Sequence, residues 1–127
     1  MFTNAVTVII SGNRPRATLA GQTVRWAASD GLLADLEANV AADLVPLISE
    51  RWSGVFKWRG QGEMPVADAE KLQGILSKAH AQGCRVRFWG APDKLPCWQT
   101  LHAAGVDLIN TDDLEGLGRF LRKPEVK

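Results

Sequence analysis

Residues 85–114 constrain the fold more strongly than any other part of the chain, because two apolar runs flank a clear helix signal. Residues 86–89 (VRFW) are β-prone and precede a turn-forming stretch. Pro96 suits the first turn of a helix, which needs no backbone donor, and Gly105 suits its left-handed C-terminal cap. A second apolar run follows at 106–109. The pattern predicts two parallel strands joined by a crossover helix.

The rest of the chain repeats this alternation of short apolar runs and helical patterns, which is typical of an α/β fold. Further strands are predicted at 5–11 and 23–28, whereas 47–50 stay open between a short strand and a turn. Helices are predicted at 16–20, after Ser29-Asp30, at 65–82, at 96–104 and at 114–121. The first strand is apolar on both faces, as strands of covered parallel sheets are. An aromatic loop at 52–58 is expected to fold back onto the rim or onto a neighbour.

Composition excludes several classes of partner. The net charge of +1 gives no electrostatic basis for binding nucleic acid or an anionic membrane. No apolar run approaches the ~20 residues of a membrane helix, and the N-terminal residues lack the pattern of a signal peptide. Cys84 and Cys97 lack the spacing of a metal or redox pair, so both are expected to be reduced and to act as small apolar residues.

Several segments resemble the glycerophosphodiester phosphodiesterase and phosphatidylinositol phospholipase C-like superfamily. GVDLINTDDL (105–114) is similar to the last strand of that family's TIM barrel, and VRFWGAPD (86–93) is similar to the strand before it. VTVIISGNRP, SDGLLADL and PLISERWSGVFKWRGQGEMP supply further matches in family order. The branch resembled most is the bacterial and fungal one that includes altered inheritance of mitochondria protein 6.

The resemblance implies the C-terminal half of a TIM barrel, beginning near the fifth strand. A barrel of this kind needs about 250 residues, so 127 residues have room for about four strand–helix units. We therefore predict one half-barrel domain over 1–122 and a frayed tail over 123–127. An open half-barrel exposes unpaired strand edges and an apolar lumen. We expect it to self-associate or to require a separate N-terminal half.

The active site of a β/α barrel lies at the C-terminal ends of its strands. That rule selects the polar side chains that follow each predicted strand, and we expect them to line or support the substrate side of the site. Arginines stand out among them, since a guanidinium offers paired donors to a phosphate. The predicted site consists of Ser11, Asn13, Arg14, Asp30, Arg87, Trp89, Asn110 and Asp112. The resemblance itself matches Ser11, Asn13, Arg87, Trp89, Asp107, Asn110, Thr111 and Asp112, which line or support the substrate side in that family.

Two of these assignments have alternatives that the sequence leaves open. Arg87 could bind a ligand inside the barrel or form an ion pair with Asp107 or Asp112. Asp30, Asp112 and Asp113 could supply oxygen ligands to a divalent cation, but helix capping is favoured for Asp30 and Asp113, because both precede apolar-periodic segments.

The resemblance implies metal-assisted cleavage of phosphodiesters, with two histidines as acid and base and a calcium or magnesium ion bound by carboxylates. Nothing in this sequence matches the family's His-rich first strand or its acidic second strand. His80 and His102 lie instead in the last turns of predicted helices, where an imidazolium offsets the helix dipole. No catalytic or metal-binding residue is therefore assigned to this chain, and a bound cofactor is not expected for it alone.

Three interpretations follow. The chain could be a truncated part of a phosphodiesterase of glycerophosphodiester or phosphoinositide lipid metabolism, inactive alone. It could be active after self-association or with a separate N-terminal half. It could also be a non-catalytic module for a phosphate or sugar phosphate. Relatives are often exported, but the sequence assigns no compartment.

Overall fold

The fold is a single parallel sheet with helices between its strands, seen in a computed structural model that describes residues 5–122. The five strands lie in the order β1-β2-β3-β4-β5 and every neighbouring pair is parallel. The strands are β1 (Val8–Ile10), β2 (Ala27–Gly31), β3 (Leu47–Arg51), β4 (Arg85–Trp89) and β5 (Leu108–Ile109). The helices are α1 (Arg16–Gly21), α2 (Leu33–Glu37), α3 (Trp52–Val55), α4 (Val66–Ala81), α5 (Leu95–Ala104) and α6 (Leu114–Leu121).

The predicted α/β class and the strand–helix–strand unit at 85–114 are confirmed. Gly105 ends α5 in the left-handed conformation, with φ of 87°, because only glycine adopts it without a steric penalty. The segment at 47–50, which the sequence left undecided between a strand and a turn, belongs to strand β3. The strands follow one another across the sheet in sequence order, and helices connect them. This arrangement is consistent with part of a TIM-barrel-like fold. The tail prediction lies outside the described residues.

The second strand lies further along the chain than predicted. It spans Ala27–Gly31 rather than 23–28, since Ser29 and Asp30 continue the ladder opposite Ile10 and Leu47. The prediction that Asp30 caps the next helix is therefore wrong. Asp35 has that role instead, and its carboxylate accepts the backbone N–H of Leu32 at 2.8 Å.

The hydrophobic core lies between the sheet and its helices, and an aromatic cluster forms its centre. Trp52, Phe56 and Phe88 are almost fully buried, and their rings meet at centroid distances of 4.3 to 5.6 Å. The indole N–H of Trp52 donates to the Trp58 carbonyl at 2.9 Å, which satisfies the buried donor. The expectation that this aromatic loop covers the rim or a neighbour is wrong, because these side chains are needed to fill the space behind β4.

Strand register divides the sheet into two faces. Parallel partners in register share a face, and successive residues alternate between faces. The outer face, which packs on the helices, carries Ile48, Val86 and Phe88. The opposite face is called the inner face below. It carries Ile9, Asp30, Leu47, Ser49, Arg85, Arg87, Trp89 and Leu108, with Ser11 and Asn110 just beyond the strand ends.

The cysteines behave as predicted. Cys84 and Cys97 are both free and buried. Burial raises the pKa of the Cys97 thiol to about 11, because removal from water disfavours the thiolate. Within residues 5–122 no helix has the length and apolar content needed to cross a membrane.

Adjacent aromatic residues of β4 provide a test of the two-faced sheet. Phe88 is 1% exposed, whereas Trp89 is 42% exposed. We expect Phe88→Ala to lower the free energy of unfolding by about 3–5 kcal/mol, through lost burial and a cavity. Trp89→Ala should cost less than about 1 kcal/mol. Urea denaturation followed by circular dichroism measures both. Equal losses would contradict the assignment of faces.

Candidate functional site

An open cavity lies on the inner face at the C-terminal ends of the strands, and it is called the upper cavity below. Its volume is about 680 Å³, within the range of small-molecule sites. Seven of the eight predicted site residues line it, all except Asn13, together with seven other residues. The lining comprises Ser11, Gly12, Arg14, Asp30, Leu32, Ser49, Glu50, Arg87, Trp89, Gly90, Ala91, Asp93, Asn110 and Asp112.

Arg87 is held in the upper cavity by neutral acceptors. Its guanidinium donates to the Ser49 hydroxyl at 2.9 Å and to the side-chain carbonyl of Asn110. The ion pair with Asp107 or Asp112, which the sequence left open, is not formed. Two neutral partners orient the guanidinium without cancelling its charge. The positive charge is therefore available to an anion in the cavity.

The second predicted arginine has a different environment. Arg14 donates through Nε to the carboxylate of Asp30, whose side chain is only 8% exposed. Since the two charges oppose each other directly, this pair contributes little net potential to the cavity. Asp30 is thus neither a helix cap nor a free cation ligand, and Arg87 is the stronger anion-binding group.

Behind that pair, Arg16 and Asp35 form a bidentate ion pair that fixes the loops after β1 and β2. One guanidinium nitrogen donates to Asp35 Oδ2 at 2.7 Å, and the other donates to Oδ1. Arg16 also donates to the Asp30 carbonyl at 3.1 Å. The hydrogen bond from Arg16 holds the pKa of Asp35 below its ordinary value and raises the pKa of Arg16. This pair was not predicted.

Trp89 lines the upper cavity, and Arg51 packs against its ring. The two residues face each other across β3 and β4, and the Arg51 guanidinium carbon lies 5.5 Å from the Trp89 ring centroid. A cation over the face of an indole is attracted by the ring quadrupole. This contact orients the half-exposed indole on the inner face, which it shares with Arg87.

The carboxylates of the upper cavity do not fit a divalent cation. Asp93 accepts the backbone N–H of Asp112 at 2.9 Å, and Glu50 accepts the backbone N–H groups of Leu33 and Arg51 at 3.3 and 3.2 Å. Over residues 5–122 no three His, Cys, Asp or Glu side chains are grouped as metal ligands. The calcium or magnesium ion that the resemblance implies therefore has no ligand set among these residues.

Several residues selected from the sequence lie elsewhere. Asn13 is exposed and does not line the upper cavity. Asp107 lies beside the last turn of α4, where it contacts His80 Nε2 at 2.9 Å and accepts the Val86 N–H at 2.7 Å. Asp113 caps α6 by accepting the Gly116 N–H at 2.8 Å.

The positions of both histidines agree with the sequence analysis. His80 and His102 lie in the last turns of α4 and α5. His102 packs edge-on against Phe120 at 5.7 Å between ring centroids. Since these are the two histidines of the chain, no histidine lines the upper cavity.

Ser49, Glu50 and Asp93 line the upper cavity but were not predicted. Ser49 and Glu50 were missed because residues 47–50 were left open between strand and turn. A strand prediction for this segment would have put both residues near the C-terminal end of β3, beside Arg87. Asp93 lies after a glycine turn, and only its bond to Asp112 places it at the cavity.

Comparisons with known proteins point to one superfamily. The profile of the glycerophosphoryl diester phosphodiesterase family matches residues 85–115. Altered inheritance of mitochondria protein 6 of Lachancea thermotolerans is 36% identical over 61 residues, 43% of this chain. The resemblance to the glycerophosphodiester phosphodiesterase superfamily is confirmed. The phosphodiesterase match begins at β4, runs through α5 and β5, and ends at the start of α6, so it includes Arg87, Trp89, Asn110 and Asp112.

Both matches cover less than half of this chain, and the aligned relative is much longer. The aligned segment spans 14% of the yeast protein's length. No solved structure matches this chain. The superfamily therefore suggests phosphodiesterase-type chemistry, while the activity and partners of complete relatives belong to the proposals below.

The Arg16–Asp35 pair predicts how stability responds to acid. Because the pKa of Asp35 is lowered in the folded protein, its contribution is present above the ordinary value of 3.8 and is lost as pH falls through the lower folded value. Asp35→Asn should remove part of the decline in unfolding free energy between about pH 5 and pH 2. Urea titrations across that range measure the change. Asp43→Asn, at an exposed ion pair, is the control, and an equal effect there would contradict the assignment.

Proposed function

We propose that this chain binds the phosphate of a phosphodiester and forms the substrate-side wall of a phosphodiesterase-like site. The observation that carries the proposal is Arg87. Its guanidinium enters the upper cavity, oriented by Ser49 and Asn110, and no carboxylate of residues 5–122 is bonded to it. A phosphodiester carries one negative charge and two equivalent oxygens, which suit the planar donors of a guanidinium.

The surroundings of Arg87 support binding of a small ester rather than of a large polyanion. Trp89 offers an apolar ring beside the guanidinium, where the alcohol part of an ester can pack. The chain has a net charge of +1, so no broad positive surface supplements the site. By its superfamily, we propose a glycerophosphodiester or phosphoinositide-type substrate of lipid metabolism.

We further propose that the chain alone does not hydrolyse the ester. Cleavage of a phosphodiester requires a proton donor and acceptor within reach of the reacting oxygens. Both histidines lie outside the upper cavity. The carboxylates of Asp30, Glu50 and Asp93 are bonded to an arginine or to backbone N–H groups. In this proposal the acid, the base and the divalent cation come from a second wall facing Arg87.

A second candidate is a non-catalytic module that binds a phosphate or a sugar phosphate. The same contacts of Arg87 favour it, because orientation by neutral side chains needs no catalytic group nearby. The two candidates differ in one respect: the module needs no further wall for its function.

Removal of the Arg87 guanidinium tests the binding proposal. Arg87→Ala should weaken binding of dimethyl phosphate and of inorganic phosphate by at least about ten-fold, the loss expected for a charge-assisted contact. Arg87→Lys should retain part of the affinity, since the charge remains but the paired geometry is lost. Isothermal titration calorimetry measures each dissociation constant.

Arg85→Ala is the matched control, because Arg85 lies on the same strand and inner face but outside the upper cavity. Its phosphate affinity should equal that of the unaltered protein. Circular dichroism establishes that all variants are folded. Equal affinity of Arg87→Ala and the unaltered protein would refute the proposed site.

A turnover assay tests the catalytic part of the proposal. With bis(4-nitrophenyl) phosphate and millimolar calcium or magnesium, we expect no release of nitrophenolate above the buffer rate, since the chain lacks a histidine at the site. Metal-dependent release that Arg87→Ala abolishes would show instead that the chain is an active enzyme.

A further inference from the structure

The charges that line the upper cavity do not balance. The lining includes two arginines and four carboxylates, so its formal charge is −2. Arg14 and Asp30 pair with each other. Arg87 is then left with three carboxylates in the same cavity, those of Glu50, Asp93 and Asp112. A site that served a phosphate alone would gain nothing from this excess of negative charge, because like charges repel the ligand.

No positive side chain neutralises these three carboxylates within residues 5–122, where none of them forms an ion pair with a lysine, arginine or histidine. Glu50 and Asp93 accept backbone N–H groups, which hold the carboxylates in place but carry no formal charge. The cavity therefore offers one available positive group and an available negative surface. A ligand that carries both signs of charge complements it better than an anion does.

An organic ammonium fits this surface better than a metal ion does. A calcium or magnesium ion needs several oxygen atoms that converge on one point, and the residues described at 5–122 contain no such group of side chains. An alkylated ammonium is larger and more weakly hydrated, and it is attracted by one carboxylate together with apolar or aromatic surface.

A smaller cavity that begins at Asp93 supplies such a surface, and it is called the side cavity below. It has a volume of about 380 Å³, and Asp93 lines both cavities. Leu95, Trp98 and Phe120 give the side cavity its apolar surface. The two rings stack with centroids 6.5 Å apart, and Leu95 is 45% exposed. Asp113 contributes a second carboxylate.

The side cavity has one positively charged group among its described lining residues, and that group does not reverse its sign. Arg119 is 69% exposed and lies 3.7 Å from the carboxylate of Glu115. Solvent and this carboxylate both reduce the potential that Arg119 produces. Asp93 therefore stands between Arg87 on one side and an apolar surface that tolerates a cation on the other.

We propose that the ligand of the upper cavity is a phosphodiester whose alcohol carries an alkylated ammonium group, with the phosphate at Arg87 and the ammonium at Asp93. This inference rests on the proposed phosphate site and narrows its substrate class. Asp93 is the specificity-determining residue, because its carboxylate favours such an alcohol over a neutral one. The two charges of the ligand then meet opposite charges of the protein.

Two esters that differ in one atom test the proposal. Methyl 2-(trimethylammonio)ethyl phosphate carries the ammonium, whereas methyl 3,3-dimethylbutyl phosphate has carbon in place of the nitrogen and keeps the shape without the charge. In isothermal titration calorimetry, we expect the ammonium ester to bind at least about five-fold more tightly than its neutral isostere. The preference should shrink as sodium chloride is raised to about 0.5 M, because salt screens the contact.

Asp93→Asn removes the charge, while its amide oxygen can still accept the Asp112 N–H. We expect it to weaken the ammonium ester by at least about five-fold. Dimethyl phosphate should bind as tightly as before or more tightly, since a repelling charge is gone, whereas a merely structural role of Asp93 would weaken both ligands. Asp112→Asn should lower the same preference and serves as the test if Asp93→Asn does not fold. Asp43→Asn is the control, since Asp43 lies outside both cavities, and it should keep the preference.

Three results would overturn the proposal. The first is equal or tighter binding of the neutral isostere, and the second is an unchanged preference in Asp93→Asn. The third is tightening of dimethyl phosphate by millimolar magnesium or calcium that Asp93→Asn abolishes, which would identify a metal ion as the cation. Dimethyl phosphate distinguishes failure of this inference from failure of the proposed function. If it binds through Arg87 while the two esters do not differ, only this inference fails, and if none of the three compounds binds, both fail.

Discussion

The pairing of β3 with β4 is the interaction on which the rest of the structure depends. It joins the strands over their full length, from Leu47 opposite Arg85 to Arg51 opposite Trp89. Because side chains alternate along a strand, a shift of one residue would exchange the two faces. This register sends Val86 and Phe88 into the aromatic core and brings Ser49 beside Arg87. Stability and the candidate site therefore arise from the same pairing.

The inner face separates into two chemically different levels. At the C-terminal ends of the strands, polar side chains surround Arg87 and leave its charge available. At the N-terminal ends, apolar side chains surround Arg85 and leave it without a partner among the described residues. The upper level suits a small anion that reaches it from solvent, whereas Arg85 lies outside the upper cavity. The two arginines lie two residues apart on β4 and differ only in their neighbours.

Sequence patterns predicted the class of fold and much of the site, because both depend on local signals. The β-prone run at 86–89, the glycine cap at 105 and the polar residues after each strand are short-range features. The extent of β2 was not predictable in this way. Ser29 and Asp30 are typical helix-capping residues, yet Arg14 and Arg16 bind them and the strand continues through them. Contacts between residues more than ten positions apart decided that boundary.

The aromatic loop was mispredicted for a related reason. A glycine-rich segment with three large rings is ambiguous in sequence, since the rings can cover a rim, a neighbour or a core. Only the space behind β4, between α3 and the sheet, determines that Trp52 and Phe56 pack on Phe88. Ser49 was missed as a site residue because β3 itself was uncertain, and its position beside Arg87 follows from strand pairing rather than from any motif.

The most direct test of the central claim is to locate a phosphate on the protein. A heteronuclear NMR titration with dimethyl phosphate should perturb the backbone amides of Ser49, Arg87, Gly90 and Asn110 in a saturable manner, because these residues line the upper cavity. The amides of Leu47 and Arg85 should remain unchanged, since both residues lie at the N-terminal ends of their strands and outside the upper cavity. Saturable changes centred on Leu47 and Arg85, or no saturable change at Arg87, would contradict the account.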